Sequence, residues 1–88
     1  MRIARADDWL TARIGDELVM MSARLGTYLG LTEVGARVWE LLATESDLDD
    51  ICAALEREFE VTPDLCRSEV AEFVGQMADR GVVTILAS

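Results

Sequence analysis

The chain has 88 residues, of which 51% are apolar, and carries a formal net charge of −9 from 17 acids against eight bases, all of them arginine. A chain of this length buries one modest core, so it folds as a single domain over residues 1–88 with no room for a deep catalytic cavity. Its acidic surface repels the phosphate backbones of nucleic acids. Its apolar runs are shorter than the roughly 18 residues of a membrane span, and Asp7 and Asp8 lie where a signal peptide would need an apolar segment. We therefore expect a cytoplasmic protein with no nucleic-acid or membrane partner.

The first half of the chain predicts three antiparallel strands. Residues 9–14 alternate as W-L-T-A-R-I, and residues 17–23 form a second apolar run after the Gly15-Asp16 turn. Gly26 is free to take a positive φ angle at the next turn, and residues 27–31 (T-Y-L-G-L) then form a third short strand. The three strands make a meander.

Two helices are predicted after the strands. Thr32 is interpreted as the N-cap of a helix that runs to about residue 43, since Val34, Val38 and Trp39 recur at spacings of three and four. A second helix begins at residue 46 or 47 and continues to about residue 59. The aspartates of "SDLDD" in its first turn are interpreted as helix-capping groups rather than as a metal site.

A third helix begins at Thr62 and Pro63, a capping hydroxyl followed by proline at the first helical position, and runs to about residue 80 before Gly81. Residues 82–86 (V-V-T-I-L) are expected as a short trailing strand. The expected fold class is α+β: a small winged helix-turn-helix in which a three-stranded antiparallel sheet is followed by three helices.

The third helix has a wider apolar surface than a single core contact requires. Spacing at 100° per residue predicts a core stripe of Cys66, Val70, Phe73 and Met77. Beside it lies a second strip of small side chains, Ala71, Val74 and Ala78, together with Arg67. This strip is typical of a shallow groove wall, although contact with another helix of the same domain explains it equally well.

The sequence lacks the usual signs of catalysis. It has no histidine for general-base work, no serine or cysteine with an activating partner, no glycine-rich phosphate loop and no metal-ligand spacing. Cys52 and Cys66 are interpreted as buried free thiols that act as small hydrophobes. We therefore expect no enzymatic activity, no cofactor and no metal.

Two function classes remain for this fold outline, DNA binding and peptide binding. In a winged-helix DNA-binding protein the third helix enters the major groove, but residues 62–80 carry four acids and only two arginines, which cannot supply many phosphate contacts. A short strand at a sheet edge, by contrast, can accept an extended peptide through its free N–H and C=O groups. Residues 27–31, with the strip on the third helix beside them, would form such a cleft.

The order and spacing of several motifs resemble the PqqD family, also called the RiPP recognition element. They are Gly26 with Tyr28, Leu31 with Gly35, Val38 with Trp39, Ile51 with Leu55, Glu69 with Val70, and Gly81. The resemblance implies a stand-alone protein that binds the leader segment of a ribosomally made precursor peptide and presents it to a modifying enzyme. It also implies that the leader adds as an antiparallel strand to the third strand and lies against the third helix.

Carried onto this sequence, the resemblance implies peptide contacts from Leu25, Thr27, Tyr28 and Leu29 on the strand side and from Arg67, Val70, Ala71, Val74, Met77 and Ala78 on the helix side. Leu31, Val38, Trp39, Leu55 and Phe73 are assigned to the core. Tyr28 either lines a pocket or covers the outer face of the sheet, and Arg67 is either an anchor for the leader or a solvated charge.

The resemblance leaves two pathways open. In lasso-peptide clusters such a protein delivers the precursor to a leader protease and a cyclase. In pyrroloquinoline quinone biosynthesis it serves a radical SAM enzyme. The segment "MSARLG" stands where the quinone branch has a Pro-Glu-Gly type sequence, which favours the lasso pathway.

Overall fold

The computed structural model describes residues 1–44 and 46–86, except for the side chain of Thr32. Its strands and helices, in chain order, are β1 (Arg2–Arg5), β2 (Trp9–Ile14), β3 (Glu17–Ser22), β4 (Thr27–Thr32), α1 (Glu33–Leu41), β5 (Ser46–Asp47), α2 (Leu48–Glu58), α3 (Pro63–Asp79) and β6 (Val83–Leu86). The predicted α+β fold, with a three-stranded meander followed by three helices, is confirmed.

The strands form two antiparallel sheets rather than one. β2, β3 and β4 make the predicted meander, in which Trp9 pairs with Ser22 and Ser22 with Thr27. The second sheet has the order β5-β1-β6, and its strands β1 and β5 were not predicted. β1 has four residues with arginine at both ends and a single buried side chain, Ile3, so it shows no alternation to detect. It forms because the trailing strand β6 pairs along its whole length.

Helix starts follow the predicted capping chemistry. Asp47 accepts a hydrogen bond from the backbone N–H of Asp49 (3.1 Å), and Thr62 Oγ1 accepts one from the N–H of Leu65 (3.4 Å). The capping interpretation is therefore confirmed for Asp47. The N-cap predicted at Thr32 concerns a side chain outside the described part of the structure, although α1 does begin at the next residue.

The core lies between the inner face of the meander and the three helices. It includes the predicted residues Leu31, Val38, Trp39 and Leu55, all of which are buried. Trp9, whose position the sequence left open, is also buried and donates from Nε1 to the carbonyl of Gly81 (2.9 Å). Within the described residues, no helix has the length and apolar character needed to cross a bilayer.

Both cysteines lie in this core as free thiols, as predicted. Cys66 Sγ is 3.9 Å from the carbonyl oxygen of Cys52, and both side chains are buried. Burial raises the pKa of the Cys52 thiol to about 11, and the neighbouring Cys66 adds to this effect. The Cys52 thiol is therefore protonated at neutral pH, and both buried side chains serve as packing groups.

Candidate peptide-binding site

Strand β4 is an edge of the meander in the part of the chain that the structure describes. Its six residues pair with β3 from Thr27 opposite Ser22 to Thr32 opposite Glu17, and its other side has no strand neighbour there. The trailing strand β6 pairs with β1 and so does not cover this edge. The outward N–H and C=O groups of β4 are therefore open to an added strand.

A polar network fixes the turn that leads into β4. Ser22 is fully buried, donates from Oγ to Asp8 Oδ2 (2.6 Å) and accepts from the backbone N–H of Leu25 (3.2 Å). Arg24 Nε donates to the same Asp8 oxygen (3.2 Å). The hydrogen bond from Ser22, followed by that from Arg24, lowers the pKa of Asp8 below its ordinary value. Asp8 thus holds the start of the edge strand in place from outside the meander.

Side chains along β4 alternate between the two faces of the sheet. Leu31 is buried, and Thr27 and Leu29 are half-buried, on the inner face that meets the helices. Tyr28 points to the outer face and is 72% exposed. This exposure agrees with the alternative in which Tyr28 covers the outer face of the sheet, because a period of two puts its ring on the opposite side from Leu29.

The buried stripe of α3 differs from the predicted one by a rotation of the helix. Val74 is only 1% exposed and joins Cys66, Val70 and Met77 in the core, whereas Phe73 is half-buried at the margin. The assignment of Val74 to a groove wall is wrong, whereas Phe73 is only partly buried and packs against the core from its margin. Periodicity orders residues around a helix but does not give the angle at which the core lies.

One margin of the buried stripe, which we call the Arg67 flank, contains Arg67, Ala71 and Ala78. The guanidinium of Arg67 forms an ion pair with Asp49 in the first turn of α2, and this hydrogen bond raises the pKa of Arg67. Ala71 and Ala78 are half-buried and pack against the core cluster. These predicted peptide-contacting residues thus already have partners within the domain.

The opposite margin, which we call the Phe73 flank, contains Glu69, Glu72, Phe73 and Gln76. These residues line a shallow depression of about 280 Å³ on the helix surface. Phe73 also lies close to α1 and β4: a Cβ placed on Gly35 would lie 3.4 Å from the Phe73 ring and 3.7 Å from Leu31 Cδ2. The close approach that the small residue Gly35 permits therefore brings this flank next to the end of β4.

An apolar cavity of about 220 Å³ opens beside the Phe73 flank. It is enclosed by α1, the end of α2, the α2–α3 connection and α3, and its lining includes Val70, one of the predicted peptide-contacting residues. The lining also includes Val34, Phe59, Val61 and Glu69, which the sequence analysis assigned neither to the core nor to the site. Val34 is exposed, although it lies on the apolar stripe of α1. The available signal for this cavity was the presence of two apolar residues, Phe59 and Val61, within the short break between α2 and α3.

The two ends of the β4 strand lie near different parts of α3. Leu25, just before β4, has its Cδ1 3.4 Å from the position of a Cβ on Gly81, which follows α3. Leu31, near the other end of β4, lies beside Phe73 in the middle of the helix. Strand and helix therefore run in opposite directions, and the apolar cavity lies at the end of β4 that leads into α1.

Family membership agrees with this geometry. The sequence profile of the coenzyme PQQ synthesis protein D (PqqD) family matches residues 17–83. The chain belongs to the PqqD family. The resemblance found in the sequence motifs is thereby confirmed, and no curated protein matches this PqqD-family chain significantly.

Two solved structures resemble the whole chain. The structure of TbiB1 in complex with the TbiA(beta) leader peptide has a TM-score of 0.87 and 28% sequence identity, and the match covers 97% of this chain and 99% of TbiB1. A lasso peptide synthetase B1 complexed with the leader peptide has a TM-score of 0.84 and 19% identity, over 94% of this chain and 98% of that one. The second, at its lower identity, supports the fold alone.

Proposed function

We propose that this PqqD-family chain binds the leader segment of a ribosomally synthesised precursor peptide and presents it to a modifying enzyme of a lasso-peptide pathway. The observation that carries the proposal is the open edge of β4 beside the apolar cavity and the Phe73 flank. The likeness to TbiB1, whose structure contains a leader peptide, supports it across nearly the full length of both chains.

Binding would proceed by strand addition. An extended leader would pair antiparallel with β4 through backbone hydrogen bonds, which provide affinity without regard to sequence. Every second leader side chain would then point inward, towards Thr27, Leu29 and the Phe73 flank. This differs in part from the contacts expected from the sequence. Val70 lines the cavity, but Val74 and Met77 are enclosed by the core and the Arg67 flank already makes intramolecular contacts.

The direction of the added strand assigns a role to each end of the groove. An antiparallel leader has its N-terminal part beside the end of β4, where an apolar side chain would fill the cavity between Val34 and Phe73. Its C-terminal part would leave past Leu25 and Gly81. The segment to be modified would therefore emerge at the β3–β4 turn, and the modifying enzyme, a leader protease or cyclase, would approach from there.

The segment "MSARLG" before β4, where the quinone branch has a Pro-Glu-Gly type sequence, favours a lasso pathway over quinone-cofactor synthesis. The family profile itself is named for the quinone pathway, so a radical SAM partner is the second candidate. The proposed role is binding rather than catalysis, and the burial of both thiols supports it. It would be exercised in the cytoplasm, where the precursor is made.

An NMR titration tests the proposal. The ¹⁵N-labelled chain is titrated with a synthetic peptide that spans the leader of the precursor encoded beside it, and a scrambled peptide serves as control. We expect amide shifts at residues 27–32 and on the Phe73 flank, with slowed hydrogen exchange at the outward N–H groups of β4. Shifts confined to β1, β5 and β6 would contradict strand addition to β4.

A further inference from the structure

The outer face of the β2-β3-β4 sheet is apolar and uncovered in the described structure. Cross-strand pairing aligns Leu10, Met21 and Tyr28 in one row and Ala12 and Val19 in the next, with Ile14 following on β2. We call these six residues the outer patch. Leu10 is 66% exposed, Ile14 65% and Tyr28 72%. Three large apolar side chains thus face solvent on the same side of one small sheet, which is the pattern of an interaction surface.

The outer patch is not a by-product of folding. In an antiparallel sheet with one solvated face, polar side chains normally point outward. β2 reverses this rule, because Thr11 and Arg13 share the inner side with Trp9, while Leu10, Ala12 and Ile14 point outward. Arg13 consequently pairs with Glu40 of α1 (2.6 Å). Among the described residues, the buried core and the side chains packed against it include none of the six patch residues, so the core does not require apolar residues on this face.

Charge indicates what kind of surface covers the patch. Among the described side chains of this face, Glu17 is the charged one. Its carboxylate lies over Gly30, with Oε1 2.6 Å from where a Cβ on that glycine would be. A second copy of the chain would bring two molecules of net charge −9 together, with Glu17 on both sides of the contact. A different protein, apolar at the centre of its contact and bearing arginine or lysine at the margin, fits this surface.

The outer patch is also continuous with the proposed leader site. A leader strand paired with β4 would extend the same sheet, and its outward side chains would lie next to Tyr28. We propose that the outer patch is the docking surface for the enzyme that acts on the presented precursor, and that this enzyme contacts the patch and the bound leader together. The choice of partner rests on the proposed function, whereas the surface itself does not.

Matched substitutions on β2 separate docking from leader binding. The double variant L10D/I14D places two charges in the outer patch and leaves β4 unchanged, and T11D places a charge on the inner side of the same strand. Folding is checked by thermal unfolding. Leader affinity is measured by fluorescence anisotropy with the labelled synthetic leader, and enzyme affinity by calorimetry with the leader-processing enzyme encoded beside the chain, at low and high salt.

We expect L10D/I14D to bind the leader within about twofold of the unmodified chain and to lose at least about tenfold in enzyme affinity, while T11D retains both. We also expect E17Q to weaken enzyme binding by about threefold and to reduce its salt dependence. Unchanged enzyme affinity in the folded L10D/I14D variant would overturn the inference, as would a homodimer that this variant dissociates. Failure of the unmodified chain to bind the leader would instead refute the proposed function.

Discussion

The two flanks of α3 differ in what lies across from them, not in how well their side chains suit a groove. The Arg67 flank has the small residues that favour close approach, yet Asp49 and the core cluster already occupy it. The Phe73 flank has a bulky ring and two acids, yet it opens onto a cavity and the end of β4. The comparison teaches that neighbouring elements, rather than side-chain size, decide where a helix offers a groove.

The largest effect is expected for a substitution in the buried stripe of α3, which lies between the two flanks. Val74→Glu would place a carboxylate at a position that is 1% exposed, with no partner, and should cost at least about 3 kcal/mol. Urea denaturation measures this change. Gln76→Glu adds the same charge at an exposed position of α3 and should change the free energy of unfolding by less than about 0.5 kcal/mol. A stably folded Val74→Glu variant would mean that Val74 borders a groove after all.

A substitution on each flank tests the comparison directly. Phe73→Ala removes the ring that lines the cavity and should weaken binding of the leader by about tenfold or more. Because Phe73 is half-buried, some stability is lost as well, about 1–3 kcal/mol, so affinity is measured well below the melting temperature.

Arg67→Ala is the matched change on the other flank. It removes an exposed ion pair and should leave leader affinity within about twofold and stability within about 1 kcal/mol. If Arg67→Ala weakened leader binding as much as Phe73→Ala, the leader would lie on the Arg67 flank.

The strand side of the groove provides a pH-dependent test through Asp8. The pKa of Asp8 is lowered in the folded chain, first by the hydrogen bond from Ser22. The carboxylate therefore stabilises the fold at pH values above the ordinary aspartate pKa, and this contribution is lost as pH falls through the lowered pKa of the folded chain. Asp8→Asn should therefore be less stable than the unmodified chain at neutral pH, with a difference that shrinks on acidification. Denaturation curves over a pH series measure it, and a constant difference would exclude the Asp8 carboxylate as the cause.

The smallest effect concerns the Cys52 thiol, which lies near Arg67. If the Arg67 flank is closed, Cys52 should not react with a thiol reagent in the native chain at about pH 8, because its side chain is buried and burial keeps its pKa near 11. It should react within minutes in denaturant. Rapid modification of the native protein, followed by mass spectrometry, would show that the helices α2 and α3 open at this point.

Sequence patterns were sufficient where local chemistry decides structure. The alternation of β2, the capping residues Asp47 and Thr62, and Pro63 at the start of α3 all produced the expected elements. The open edge of β4 was expected from the short strand at residues 27–31, and the family motifs indicated the same edge.

The remaining features depend on contacts between distant parts of the chain. β1 has no pattern of its own and forms against β6, about eighty residues later in the chain. Whether Val74 or Phe73 is buried depends on the angle at which α3 meets the sheet, and Tyr28 faces outward because of its register with Met21. The cavity brings together residues from three helices, which no local spacing could reveal.

The open edge of β4 also makes the leader-free protein prone to association between copies. Between Thr27 and Thr32 there is no charged residue and no proline, the usual safeguards against one edge strand pairing with another. The net charge of −9 keeps copies apart at low ionic strength, but salt screens it beyond roughly 8–10 Å. Concentrated, leader-free protein should therefore aggregate as salt rises, and an added leader should act as a solubilising cap.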